Sequence, residues 1–147
     1  MRQTIALVLP PDDEPPAGVD IATLTATLRG HMGLIVPEVE SKALTLDKDD
    51  IPRYCALACV GEARGKLRAQ SGPGLGADVA YARKLARSLA ALCDHFETLT
   101  GQVMCVACDR AIHRPEDAVP LDRVSNSAGA ITARVHPDCA DAPRPRR

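Results

Sequence analysis

Two pairs of metal-ligating side chains dictate how the last third of this sequence can fold. Cys105 and Cys108 are separated by two residues in MCVACDRAIH, and His136 and Cys139 by two in VHPDCA. Cysteines at this spacing bracket a tight turn that brings both sulfurs to one ion, at about 2.3 Å each for zinc, while neighbouring amides can donate to them. In the second pair, Pro137 suits the opening of a helical turn, and the three-residue step sets His136 and Cys139 on one side of it. Residues 102–147 offer short β-prone pieces, several prolines and few large apolar side chains, so burial alone is a weak source of stability there. The two pairs therefore point to one Cys3His site, Cys105, Cys108, His136 and Cys139, holding a structural Zn2+. His113 is the rival fourth ligand, but choosing it would leave His136 idle beside Cys139.

The C-x2-C and H-x2-C arrangement resembles treble-clef and LIM-like zinc modules, in which a knuckle, a β-hairpin and a short helix supply the ligands. The resemblance implies a hairpin in which roughly Ala118 to Leu121 pairs with Ile131 to Val135. Two features depart from the pattern. The 27 residues between Cys108 and His136 exceed the usual LIM interval, and Pro143 leaves little room for the final helix.

Four protein ligands, three of them thiolates, fill a tetrahedral site and leave no position for an activated water, which favours structural over catalytic zinc. His95, Phe96 and Glu97 lie upstream of the cysteine pair and superficially match the H-x-E and C-x-x-C of zinc deaminases. The gap of seven residues is too short, no proline precedes Cys105, and Phe96 falls on an apolar helical stripe. No catalytic residue is assigned.

Upstream, apolar residues recur at helical spacing. ADVAYARKLARSLAALCDHFETLTG carries Val79, Ala82, Leu85, Ala86, Leu89, Leu92, Cys93, Phe96 and Leu99 at three- and four-residue steps, with Gly101 placed to stop the helix. Asp20 is a candidate N-cap for a helix over about 20 to 46, which Pro37 should end or bend. Asp49 or Asp50 and Pro52 start another, with Tyr54, Leu57, Ala58 and Gly61 on one face. Three helices with short connections predict an antiparallel three-helix bundle, so the fold class is mainly α with a small C-terminal zinc-binding β-hairpin module. The boundaries expected are an N-terminal arm at 1–19, the bundle at 20–101, the zinc-binding module at 102–142 and a basic tail at 143–147. Within the arm, Thr4 to Leu9 is β-prone and reads as a mobile segment or an edge strand.

The segments RGHMGLIVPEVE, IPRYCALACVGEARGKL and ARKLARSLAALCDHFETL resemble a family of small actinobacterial proteins of unknown function labelled natural product biosynthesis proteins. The resemblance covers roughly residues 20 to 100. It implies a helical domain and a setting beside secondary metabolism, and it carries over no active-site residue.

The net charge of −1 excludes a surface designed as a whole to wrap nucleic acid. Basic residues concentrate in the middle of the chain, where Arg83, Lys84 and Arg87, with Arg64, Lys66 and Arg68 on the preceding helix, are candidate nucleic-acid contacts. The bland alternative is a solvated helix face, since Phe96, Tyr54 and Tyr81 are the only aromatics and base stacking has little to use. Cys55, Cys59 and Cys93 read as packing thiols, and His31 as a boundary residue. Gly72, Gly74 and Gly76 lack the lysine and hydroxyl of a phosphate loop. No stretch nears the roughly 20 apolar residues of a membrane span, and TIALVL is too short for a signal-peptide core, so a cytoplasmic protein is expected. The leading functional expectation is a non-enzymatic accessory or regulatory protein that uses its zinc module to contact a protein partner. A nucleic-acid-binding transcriptional regulator comes second and a zinc-dependent tailoring enzyme third.

Overall fold

The computed structural model describes residues 1–9, 20–73, 76–108, 110–113, 118–125 and 129–140, with only the backbone described at 121–125 and 129–133. The chain divides into two units, Met1–Gly101 and Gln102–Arg147, and each is described by itself. The protein is mainly helical, with small antiparallel β-hairpins toward the C-terminus.

Three long helices form the first unit: α2 at Ile21–Leu44, α3 at Ile51–Arg68 and α4 at Ala77–Thr100, preceded by a short α1 at Arg2–Val8. The apolar stripe of α4 is buried where its period requires. Ala82, Leu85, Ala86, Leu89, Leu92 and Cys93 are enclosed, and Phe96 and Leu99 pack at the margin. They face Leu24, Leu28, Met32, Ile35, Val36 and Val39 of α2. With one phenylalanine in the chain, this core is assembled from interdigitated aliphatic side chains.

The helix ends follow their signals. Asp20 caps α2 by accepting from the amides of Ala22 at 3.1 Å and Thr23 at 3.3 Å. Gly101 closes α4 in the left-handed region at φ 65°, which a residue without Cβ adopts at no steric cost. Pro37 lies inside α2 without ending it. The proline and Gly33, whose carbonyl loses its helical donor, are both exposed, so water can replace the missing bond.

Two expectations need correction. The β-prone run Thr4 to Leu9 is helical through Val8, because Ile5 and Val8, one turn apart, bury themselves in the bundle core. Arg2 pins this helix to α4, with Nη2 2.9 Å from Asp94 Oδ1 and Nε 3.1 Å from Glu97 Oε1, and Thr4 Oγ1 lies 3.3 Å from His31 Nε2. Tertiary packing thus overrides local propensity. On α3, the buried face is Ala56, Val60 and Ala63, with Leu57 and Leu67 beside it, while Ala58 and Gly61 are exposed and Tyr54 is 75% exposed. Small side chains let α3 approach its neighbours closely, and a face centred on tyrosine would not.

A polar clasp closes one end of the bundle. Arg29 on α2 donates through Nη2 to the Leu67 carbonyl at 2.7 Å and through Nη1 to Tyr81 Oη at 2.5 Å. Tyr81 Oη on α4 lies 2.8 Å from the Ala69 carbonyl, to which it donates. The carbonyls at the end of α3, which lack helical donors, are thereby satisfied by side chains of the two other helices.

The second unit contains β1 at Val103–Met104, β2 at Ala111–Ile112, β3 at Val119–Ser125, β4 at Gly129–Val135 and α5 at Pro137–Ala140. β1 pairs with β2 and β3 with β4, both antiparallel, and the second pairing runs from Val119 opposite Val135 to Ser125 opposite Gly129. The expected hairpin is present and extends further toward its turn. The expected basic tail, 143–147, lies outside the described residues, as does the proline- and acid-rich part of the arm, 10–19. No helix among the described residues is long and apolar enough to cross a membrane.

Candidate metal centre

The core of the second unit is slight: Cys105, Ile112, Ala118 and Val135 are buried, with Val103, Val106, Cys108, Val119 and Cys139 partly so. Three of these buried or half-buried positions, Cys105, Val106 and Cys108, belong to the knuckle between β1 and β2. That hairpin turns through Cys105 to Cys108 and is closed by the Cys105 amide donating to the Arg110 carbonyl at 2.9 Å. The Val106 amide donates to the Arg134 carbonyl at 3.0 Å, which ties the knuckle to β4.

His136 directly follows β4, and its carbonyl accepts from the amides of Cys139 and Ala140, both at 3.0 Å, opening α5. One turn therefore carries both His136 and Cys139 toward the knuckle. The ligand atoms of Cys105, Cys108, His136 and Cys139 all lie within 4.8 Å of one another, and this Cys3His cluster could hold a metal ion. Cys108 Sγ is 3.4 Å and Cys139 Sγ 3.9 Å from His136 Nδ1. Ligands on a tetrahedral zinc ion stand about 3.5 to 3.8 Å apart, given bonds of about 2.0 to 2.3 Å, so these separations suit one ion.

Hydrogen bonds around the cluster organise its donors. His136 Nε2 lies 3.2 Å from the Ala111 carbonyl, which can only accept. The imidazole proton thus sits on Nε2, and the Nδ1 lone pair is turned to the sulfurs. Burial alone would push the Cys105 thiol up, but amides of His136, Ala107 and Cys108 donating to its sulfur hold it below its ordinary value. Burial opposes ionisation of Cys108 too and is outweighed by the Arg110 amide and guanidinium, which both donate to Sγ. Cys139 is pushed up to about 11 by burial and by the adjoining sulfurs of Cys105 and Cys108.

The structure brings together the four residues singled out as ligands and leaves His113 exposed and outside the cluster. Among the described residues, it is the one group of three or more His, Cys, Asp or Glu side chains close enough to share an ion. Arg110 and the Ala111 carbonyl were not anticipated. The signal for Arg110 was its position two residues after Cys108, where a cation can turn back onto the knuckle.

The other candidates are dispersed. Lys84 and Arg87 are exposed on α4 and Arg83 is half-buried. Arg64 makes a two-pronged ion pair with Glu40, both contacts 2.7 Å, and Lys66 bonds Glu62 at 2.5 Å and Ser88 Oγ at 2.7 Å. Glu97, the carboxylate of the deaminase-like match, is held by Arg2; burial pushes its carboxyl up more than the guanidinium lowers it. Cys55 is exposed rather than packed, because it lies off the buried face of α3; Cys59 is half-buried and Cys93 buried. A cleft of about 530 Å³ is lined by Ile21, Ala26, Arg68, Asp78 and the Arg29–Tyr81 clasp, whose hydrogen bonds are directed to α3.

No curated protein and no solved structure matches the chain. A family model described as a family of unknown function (DUF6415) matches residues 1–101, which are the residues of the helical unit, α1 included. The match covers more than half of the sequence, and the chain belongs to this family of unknown function, DUF6415.

Proposed function

We propose that the protein is a non-enzymatic zinc-binding accessory or regulatory protein, in which a structural Zn2+ held by Cys105, Cys108, His136 and Cys139 fixes the second unit for contact with a protein partner. The observation that carries this reading is the convergence of four protein ligands within 4.8 Å of one another. Three thiolates and one imidazole saturate a tetrahedral ion, so the site supplies stability rather than a bound hydroxide. A unit with only four buried apolar residues among those described gains most from such a clasp. The resemblance of residues 20 to 100 adds a proposed setting, natural product biosynthesis in actinobacteria, and the three thiolate ligands suit the cytoplasm, where cysteines stay reduced.

The experiment is capture of partners by the full chain and by a His136→Ala variant. A partner retained by the wild type and lost with the zinc supports the reading, while zinc-dependent turnover of a small molecule would overturn it.

A second reading, nucleic-acid binding, is favoured by Lys84 and Arg87, which are exposed on α4 and have no carboxylate partner among the described residues. It requires affinity that falls steeply with salt and weakens when Arg83, Lys84 and Arg87 are neutralised. Absence of binding at low salt removes it.

A further inference from the structure

The side of α3 turned away from the bundle core is not the charged surface that a solvated helix presents. Ile51, Tyr54, Cys55, Ala58, Gly61 and Gly65 recur at three- and four-residue steps, so they share one side of the helix, and all six are exposed. Ile51 is 76% exposed and Tyr54 75%. Glu62 is the one charge within this strip, and Lys66 of the same helix bonds it at 2.5 Å. The outer side of α4 differs: its exposed residues include Asp78, Lys84, Arg87 and Asp94. Single exposed apolar side chains are ordinary, but a whole helical side of them marks a surface for contact.

The order of sizes along the strip says what fits it. Bulky Ile51 and Tyr54 occupy the first half, Ala58 the middle, and Gly61 and Gly65 the second half. Among the described residues, nothing lies within 4 Å of the place a Cβ would take on either glycine, so each is an open notch. With a constant rise per residue, Ile51 stands as far before Ala58 as Gly65 stands after it, and Tyr54 nearly as far before it as Gly61 after. Two copies of α3 running in opposite directions therefore set the knobs of each against the notches of the other. Charge runs the same way. The entry to α3 holds Asp47, Asp49 and Asp50 against Lys48, and its last turns hold Arg64, Lys66 and exposed Arg68. Antiparallel pairing brings the acidic end of one helix to the basic end of the other, whereas parallel copies would meet knob to knob and like charge to like.

We propose that this face is the interface of a homodimer, in which α3 packs antiparallel on α3 of a second copy about a two-fold axis beside Ala58. Such an interface is self-complementary, with Ile51 over Gly65 of the second copy, Tyr54 beside its Gly61, and Ala58 against its counterpart. The small side chains let the two helix axes approach to about 8 Å, the close end of the usual range. One helix per copy covers less than the about 1,600 Å² of a standard interface, so the dimer is reversible, with a dissociation constant on the order of 10 μM. The inference concerns the helical unit and stands apart from the zinc-binding reading above.

The test is sedimentation velocity of the purified full chain over roughly 1 to 300 μM, beside Ala58→Arg and Gly61→Leu variants. The wild type is expected to pass from one-chain to two-chain mass across that range. Ala58→Arg sets two cations at the axis and Gly61→Leu fills the notch for Tyr54, and each should raise the dissociation constant at least about tenfold. Both positions are exposed, and leucine favours a helix over glycine, so denaturant unfolding of dilute Gly61→Leu should be no easier than that of the wild type. A lost dimer is then not a lost fold. Mixing Ala58→Arg with Ala58→Glu should restore the two-chain species, because only a contact between copies at this residue pairs the two new charges. A wild-type chain that stays single at the highest concentration, as it would if the face served another protein, overturns the proposal. So does a dimer that both variants leave intact.

Discussion

The backbone amide of His136 donates to Cys105 Sγ at 3.4 Å, joining the start of α5 to the knuckle 31 residues earlier in the chain. This bond makes the second half-site depend on the first: the residue whose side chain offers Nδ1 also holds a knuckle sulfur with its main chain. The same histidine donates from Nε2 to Ala111, so one residue is fixed at three points. Such outer contacts orient a ligand before any ion arrives.

Removing the ion should therefore unfold the second unit selectively. On adding a strong chelator, amide signals of β3, β4 and α5 should collapse toward random-coil positions in a heteronuclear NMR spectrum. Signals of α2 and α4 should keep their dispersion, since their core is aliphatic and contains no ligand. Equal loss in both units would show that the clasp is not local.

The Arg2 contacts give a second expectation. Arg2→Ala should cost about 1 kcal/mol in denaturant unfolding, since Asp94 is largely exposed and Glu97 only partly enclosed. For Arg2, burial opposes the charge but the hydrogen bonds to Glu97 and Asp94 prevail, so the guanidinium stays ionised at any ordinary pH. Local exchange of the α1 amides should rise more than that of α4; unchanged α1 protection would mean that Ile5 and Val8 hold the helix unaided.

Tyr81→Phe removes the hydroxyl between Arg29 and the end of α3 while keeping the ring. With the Ala69 carbonyl and the Arg29 guanidinium both losing a partner, stability should fall by about 1 to 2 kcal/mol. Tyr54→Phe, at an exposed position, should cost almost nothing. Thermal unfolding of the two variants under identical zinc loading separates these outcomes.

Cys93 supplies a pH dependence. Burial pushes its thiol up to about 11, against an ordinary value of 9.0. The folded state therefore holds this proton more tightly than the unfolded state, and the associated stability is complete below about pH 9 and is lost as pH rises toward about 11. Its full size is on the order of 3 kcal/mol. Measured as a slope, the alkaline decline should be shallower in Cys93→Ala than in the wild type; parallel slopes would rule the thiol out as its cause.

What the sequence disclosed follows from how local each determinant is. The α4 stripe and the caps Asp20 and Gly101 are read from neighbours a few residues apart, and each appears in the fold where its spacing puts it. The four cluster residues were legible for the same reason, as two pairs with ligand spacing in a segment short of core. Helix α1 was not, because the burial of Ile5 and Val8 and the pairing of Arg2 with residues more than 90 positions away exist only after the bundle forms. The α3 face failed by a similar route: Tyr54 weighs heavily in any apolar pattern, yet close helix packing selected Ala56, Val60 and Ala63. Arg110 donating to Cys108 depends on the turn geometry of the knuckle, which spacing alone does not specify.

The decisive measurement is metal content of the purified full chain, by native mass spectrometry with elemental analysis, beside His136→Ala and His113→Ala variants. One zinc per chain is expected in the wild type and in His113→Ala, with zinc lost or greatly weakened in His136→Ala. A wild-type chain without zinc, or zinc retained by His136→Ala and lost from His113→Ala, would contradict the Cys3His centre.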